Sequence, residues 1–70
     1  MATIDATVTG SLWKLLVAPG DTVAEGDTVA ILEAMKMEMP VEAEYAGTVS
    51  RVLKNEGDPV REGEPLVELE

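Results

Sequence analysis

The chain has 70 residues, 46 % of them hydrophobic, and a formal net charge of −9, which fits one small acidic domain. Its 5 Lys and Arg residues stand against 14 Asp and Glu residues, so we expect neither nucleic acid nor an anionic membrane as partner. Because Cys and His are both absent, the usual zinc ligands and the usual general base are missing, and we expect no metal site and no catalytic activity of its own.

The predicted elements are all short β-strands, since runs of Val, Leu, Ile and Thr alternate with Gly, Pro and Asp. No linker-like tract divides the sequence, so we expect a single monomeric domain over residues 1–70. The first residues carry neither a basic region nor a long apolar run, which favours a cytoplasmic protein without a signal peptide or a transmembrane helix. In chain order the strands are expected near residues 3–8, 11–17, 22–23, 28–33, 38–43, 48–53, 59–60 and 65–70.

An internal repeat explains this order of strands. When the sequence is shifted by 37 positions, two halves align without a gap, which predicts a small sandwich or flattened barrel with pseudo-twofold symmetry. The segments Gly20–Gly26 and Gly57–Gly63 are expected to be paired tight turns in which glycine adopts positive φ. Residues of the first half with an identical partner include Gly10, Leu16, Gly20, Asp21, Val23, Glu25, Gly26, Leu32 and Glu33.

The stretch EAMKMEM, residues 33–39, lies at the connection between the two halves. The repeat places Lys36 just after the first half, where we expect a hairpin tip that projects from the barrel, with the chain termini at the opposite end. An exposed lysine is almost entirely an ammonium ion at neutral pH and is a poor nucleophile by itself. Lys36 is better explained as an amine that another enzyme modifies.

The residues Glu33, Ala34, Met35, Lys36 and Met37, with the short chain and the paired Gly-Asp turns, resemble the attachment site of biotinyl domains. These domains are the carrier units of biotin-dependent carboxylases. The resemblance spans nearly the whole chain and is nearest to single-domain biotin/lipoyl attachment proteins. It implies an all-β barrel-sandwich hybrid of two four-stranded antiparallel sheets, with the attachment lysine on a hairpin tip.

The resemblance also implies a function. A biotin protein ligase would join biotin to Lys36 through an amide, and the tethered biotin would carry a carboxyl group between a biotin carboxylase and a carboxyltransferase. Met35 and Met37 match the flanking methionines of the family and would form an apolar surface that partner enzymes recognise; the alternative is that they pack the hairpin against the barrel. Ala34 and Glu33 complete the motif. Glu33 would contribute to discrimination by the ligase, but Glu70 occupies the matching place in the other half, so a repeated structural role for Glu33 is equally open.

Two other apolar residues are expected to serve the core rather than a cofactor. Trp13 lies in an apolar run and should cover one side of the small core. Met39 should pack against the barrel, since strand alternation directs it to the same face as the buried positions.

Two alternatives remain open beside the biotin carrier. A lipoyl carrier would have lipoate on Lys36, but the lipoyl pattern more often has Asp before the lysine and Ala after it, where this chain has methionines. An unmodified protein-interaction barrel would use the same methionines as a patch that binds another protein.

Overall fold

The computed structural model describes residues 2–70, and every regular element in them is a β-strand. The strands are β1 (Ala2–Asp5), β2 (Gly10–Leu15), β3 (Thr22–Val23), β4 (Thr28–Ala34), β5 (Met37–Glu42), β6 (Gly47–Val52), β7 (Pro59–Val60) and β8 (Pro65–Leu69). They pair antiparallel in two four-stranded sheets, with the orders β1-β8-β6-β3 and β5-β4-β2-β7. All eight predicted strands are present, and the expected all-β architecture is confirmed.

The repeat of the sequence is also a repeat of the strand pairing. Leu32 of β4 pairs with Met39 of β5, and the residues 37 positions away from these two, Leu69 of β8 and Ala2 of β1, pair with each other as well. An irregularity in the pairing of β2 with β4 recurs at the equivalent place between β6 and β8. The pseudo-twofold axis is therefore confirmed, and it exchanges the β4–β5 hairpin with the pair formed by β1 and β8.

The two halves interlock, because each sheet contains two strands from each half of the sequence. The first Gly-Asp turn shows how they are joined. Gly20 N–H donates to the Val49 carbonyl at 2.8 Å, and Val49 N–H donates to the Asp21 carbonyl at 2.8 Å. The second half makes the equivalent bonds to Leu12. Neither half can complete a sheet alone, so the fold depends on contacts between residues far apart in the chain.

The core lies between the two sheets and consists of aliphatic side chains. Within residues 2–70, no polar or charged residue is buried, so hydrophobic packing alone fills this space. Strand alternation explains the pattern, since successive side chains point to opposite faces of a sheet. The largest fully buried side chains are Leu12, Leu32, Leu66, Leu69, Val29, Val41, Val49, Val60 and Val67.

Four tight turns share one arrangement, with a glycine of φ between 86° and 96° at the third position, as in a type II turn. In the first of them the Ala18 carbonyl accepts the Asp21 N–H at 3.0 Å, while the Asp21 carboxylate accepts the Ala18 N–H at 2.9 Å. The carboxylates of Asp27, Asp58 and Glu64 close the other three turns in the same way. The positive φ predicted for the turn glycines is confirmed. These glycines are Gly20, Gly26, Gly57 and Gly63.

Asp21→Ala is expected to lower the free energy of unfolding by about 1 kcal/mol, because it removes the acceptor of the Ala18 N–H. Asp21→Asn should keep most of the stability, since its amide oxygen can accept the same hydrogen bond. Urea denaturation followed by tryptophan fluorescence measures both variants. An equal loss in the two would show that the negative charge, and not the hydrogen bond, stabilises the turn.

The first strand is shorter than predicted. It ends at Asp5 instead of residue 8, because the register with β8 shifts between Ile4 and Asp5. The chain stays attached beyond the strand, since Ala6 N–H donates to the Glu64 carbonyl at 2.8 Å.

The prediction for Trp13 is wrong. Its side chain is 41 % exposed, with Lys14 Nζ 5.4 Å from the centroid of its ring. Leu12, the preceding residue, is fully buried, so alternation along β2 directs Trp13 to the outer face.

Candidate functional site

Lys36 lies at the tip of the hairpin formed by β4 and β5. The last cross-strand pair of this hairpin joins Ala34 to Met37, so only Met35 and Lys36 form the connection. A loop of two residues is the shortest common link between antiparallel strands. It holds the lysine at a defined position beyond the end of the sheet.

The backbone of this turn is unusual for its residues. Met35 has φ of 53° and Lys36 has φ of 65°, and these are the only positive values outside glycine in the described chain. Two consecutive left-handed residues are the signature of a type I′ turn, which normally contains Asn, Asp or Gly. An L-residue with a Cβ costs roughly 1–2 kcal/mol in this conformation. The pairing of β4 with β5 must offset this cost, so the two strands hold Met35 and Lys36 in a conformation that these residues do not favour by themselves.

Met35→Asn is expected to raise the free energy of unfolding by about 1 kcal/mol, because asparagine tolerates the left-handed conformation better than methionine. Little packing is lost, since the Met35 side chain is 92 % exposed. Met37→Asn is the matched control, because Met37 is also an exposed methionine but lies in β5 without positive φ. The denaturant midpoints of the two variants and the wild type measure the effect. An equal rise in stability in both variants would contradict the explanation by relief of backbone strain at Met35.

Two apolar side chains flank the lysine and are directed into solvent. Met35 is 92 % exposed and Met37 is 61 % exposed. Met39 is only partly exposed and stands opposite the buried Leu32, so the expected packing against the barrel is found in part. Methionine is usually buried in a small domain. Met35 and Met37 therefore form an exposed apolar surface beside Lys36 and do not belong to the core.

The charges of the hairpin leave the lysine amine free. Lys36 takes part in neither of the ion pairs found within residues 2–70, which join Arg51 to Glu68 and Lys54 to Glu64. Glu33 and Glu38 stand directly opposite each other on β4 and β5 and are both exposed. Like charges at facing positions destabilise a strand pair. Lys36 is the only cation of the stretch 33–39, so its positive charge partly offsets this repulsion.

The base of the hairpin is packed closely against β2. Ala34 is buried there, and the backbone of Gly10 runs so near that a Cβ on Gly10 would collide with the Glu33 carbonyl oxygen. The same Cβ would lie 3.0 Å from the Ala34 Cβ. The sequence repeat aligns Gly10 with Gly47 but does not predict this contact, because a repeated glycine gives no information about the distance to its neighbours in the fold.

The tip lies beyond the end of the sheet and does not line a groove. Two grooves on the described surface are lined by other residues, and neither includes any residue of the stretch 33–37. A protein that binds a small substrate itself uses a concave site. The tip therefore lacks the concave shape of a small-molecule site.

Within residues 2–70, no three His, Cys, Asp or Glu side chains are grouped so that they could hold a metal ion. No helix in this part of the chain is long and apolar enough to span a membrane.

Comparison with known proteins gives a family match and close relatives. The family model described as "Biotin-requiring enzyme" matches residues 1–69. The chain is 49 % identical over 67 residues to the biotin/lipoyl attachment protein of Bacillus subtilis, with 96 % of this chain and 92 % of that protein covered. It is 43 % identical over 67 residues to the biotin carboxyl carrier protein of Streptococcus mutans, with 96 % of this chain and 52 % of that protein covered. The structure of Kluyveromyces lactis urea carboxylase matches 97 % of this chain and 6 % of its own, with a TM-score of 0.88 and 40 % identity.

Proposed function

The chain belongs to the biotin/lipoyl attachment domain family, and we propose from this that it is a biotin carboxyl carrier domain in which Lys36 receives the biotin. One observation supports the assignment of the site above all others. Lys36 lies on a two-residue turn beyond the end of a sheet, outside both ion pairs of the described chain and between two exposed methionines.

The other two lysines of the chain are less suited to modification. Lys14 Nζ lies over the Trp13 ring, 5.4 Å from its centroid, and Lys54 Nζ lies 3.3 Å from a Glu64 carboxylate oxygen. Each would have to leave a favourable contact before its amine could enter the active site of another enzyme. Lys36 needs no such rearrangement.

The attachment step forms one bond and breaks one bond. The Lys36 ammonium group loses a proton, and the resulting amine attacks the carbonyl carbon of a biotinyl-adenylate held by a biotin protein ligase, with loss of a second proton from the nitrogen. A C–N amide bond forms, the C–O bond to the phosphate breaks, and AMP leaves. No neighbouring side chain of the hairpin is a base suited to neutral pH, so the ligase supplies the base that removes the proton.

When bound, biotin supplies a ureido nitrogen that accepts a carboxyl group at a biotin carboxylase and releases it at a carboxyltransferase. The role of this chain is to present the attached group to both enzymes, and it catalyses neither step itself. The strained turn fixes the backbone of Lys36, whereas the four-carbon side chain gives the arm its freedom of rotation. The rigid base and the flexible arm together let one tip enter two active sites in turn.

The remaining residues of the motif support recognition and packing. Met35 and Met37 form the apolar surface that the ligase and the carboxylase sites contact, since their thioether chains can adapt to different partners. Ala34 is small because its side chain is buried at the base of the hairpin. Glu33 contributes a carboxylate beside this surface and serves discrimination by the ligase.

Lipoate on Lys36 is the second candidate. The same turn would present a lipoyl amide equally well, and the Bacillus subtilis relative is named for both kinds of attachment. The methionines on both sides of Lys36 favour biotin, because lipoyl domains more often have Asp and Ala at these two positions.

The deciding experiment is intact mass spectrometry of the folded chain after incubation with a biotin protein ligase, ATP and biotin, followed by peptide mapping. We expect one biotinyl increment, located on Lys36. A parallel incubation with a lipoate ligase and lipoate tests the second candidate, and a known carrier domain controls for active enzyme. Labelling by lipoate alone would replace the first proposal by the second, and no labelling by either would favour the protein-interaction barrel. Size-exclusion chromatography of the same sample tests the proposed single monomeric domain of 7.4 kDa.

A further inference from the structure

Gly10 and Gly47 are equivalent in the sequence repeat, but other atoms approach Gly10 much more closely than Gly47. We infer that Gly10 is a positioning residue for Lys36, because its missing side chain lets β2 lie against the base of the β4–β5 hairpin and so fixes the direction of the tip. The part of this inference that concerns labelling depends on the proposed function, whereas the part that concerns the hairpin geometry does not.

The contact at Gly10 has no room for a side chain. A Cβ at this position would overlap the carbonyl oxygen of Glu33 and would lie 3.0 Å from the Ala34 Cβ. Both of these atoms belong to the end of β4 immediately before the turn. An added methyl group would therefore push on the backbone that leads into Met35 and Lys36, and the hairpin would have to move away from β2.

The symmetry mate provides an internal comparison. A Cβ on Gly47 would lie 3.6 Å from its nearest neighbours, Leu69 and Glu70, which is ordinary van der Waals distance. The pairing of strands around the two glycines is otherwise the same, since Gly10 pairs with Val60 as Gly47 pairs with Val23. The fold itself therefore does not require the close approach, and it occurs only at the glycine that lies beside the lysine hairpin.

A second feature holds this segment in place. The hydroxyl of Thr9, the residue before Gly10, accepts the N–H of Glu62 at 3.1 Å. The equivalent position in the other half is Ala46, which has no hydroxyl to accept such a bond. This hydrogen bond attaches the start of β2 to the turn before β8. It therefore opposes movement of β2 away from the hairpin.

The test compares Gly10→Ala with Gly47→Ala under conditions in which both variants are folded, as shown by their dispersed amide spectra. With biotin protein ligase we expect kcat/KM for Gly10→Ala to fall by roughly 10- to 100-fold, because a displacement of about 1 Å at a reacting group has effects of this size. The fall should be mainly in kcat, since the methionines that the ligase contacts are unchanged. Gly47→Ala should be labelled like the wild type.

The amide and Cα chemical shifts of residues 35–37 give a readout that does not depend on labelling. Gly10→Ala should move these signals and Gly47→Ala should not. Normal labelling kinetics with unmoved hairpin signals in Gly10→Ala would overturn the inference. If the wild-type chain is not labelled at all, the proposed function fails, and the chemical shifts alone decide about Gly10.

A second variant covers the case in which Gly10→Ala does not fold. Ala34→Gly removes the methyl group that would lie 3.0 Å from a Cβ on Gly10, and it leaves a gap between β2 and the base of the hairpin. The signals of residues 36 and 37, which are not adjacent to residue 34 in the sequence, should shift and broaden as the hairpin loosens. Hairpin signals that match the wild type in this variant would show that the contact does not position the tip.

Discussion

Lys36→Arg will abolish biotin attachment and leave the free energy of unfolding within about 0.5 kcal/mol of the wild type. The side chain is at the exposed tip and in neither ion pair of the described residues, so the substitution breaks no contact that stabilises the fold. Arginine keeps the positive charge but stays protonated, and its delocalised guanidinium does not form the amide. Intact mass after incubation with ligase, ATP and biotin should therefore show only the unmodified chain.

Two matched substitutions control for this result. Lys14→Arg and Lys54→Arg keep charge in the same way, and both variants should gain one biotinyl group as the wild type does. A label that persists in Lys36→Arg, on Lys14 or Lys54, would overturn the assignment of the site. A label that is lost in all three variants would indicate damage to ligase recognition in general.

Leu32→Ala is expected to have the largest effect on stability, with a loss of about 2–5 kcal/mol. Leu32 is fully buried in β4, between Leu12 of β2 and Met39 of β5. A cavity at this place would lie in the strand that leads into the lysine hairpin. Because a domain of this size has a total stability of only about 4–10 kcal/mol, the variant should be partly or wholly unfolded near 37 °C.

Thermal and urea denaturation measure the effect of Leu32→Ala. The matched control is Leu16→Ala, since Leu16 is a leucine of the same half that is 52 % exposed. We expect a change below about 0.5 kcal/mol for this control. A Leu32→Ala variant with the midpoint of the wild type would contradict the view that the aliphatic core alone holds the two sheets together.

The sequence predicted the fold because its repeat and its strand signals agree. Residues that match across 37 positions, such as Leu32 and Leu69, occupy equivalent buried places, and the four turn glycines are conformationally required where they occur. The sequence does not predict that each sheet contains strands from both halves, because the hydrophobic pattern of a strand does not show which strand pairs with it. Trp13 was misjudged for a similar reason, because its apolar run fits either face of β2.

The position of Lys36 on a hairpin tip was predicted, but the backbone conformation of that tip was not. The lysine between methionines located the tip, yet nothing in the letters Met35-Lys36 indicates two left-handed residues, since type I′ turns are normally marked by Asn and Gly. Cross-strand pairing decides that conformation, and pairing is a property of the folded chain. The contact of Gly10 with the hairpin is likewise a distance of the tertiary structure, which a glycine in the sequence does not reveal.

The symmetry of the strand pairing has a consequence for the ends of the chain. Leu32 pairs with Met39 across the lysine hairpin, and the equivalent residues Leu69 and Ala2 pair with each other in the same way. An engineered turn of six residues placed between Leu69 and Ala2 would therefore match the segment 33–38 that connects Leu32 to Met39. We expect such a circular permutant to fold when it is opened at another exposed turn, with Lys36 unchanged in its place on the β4–β5 hairpin.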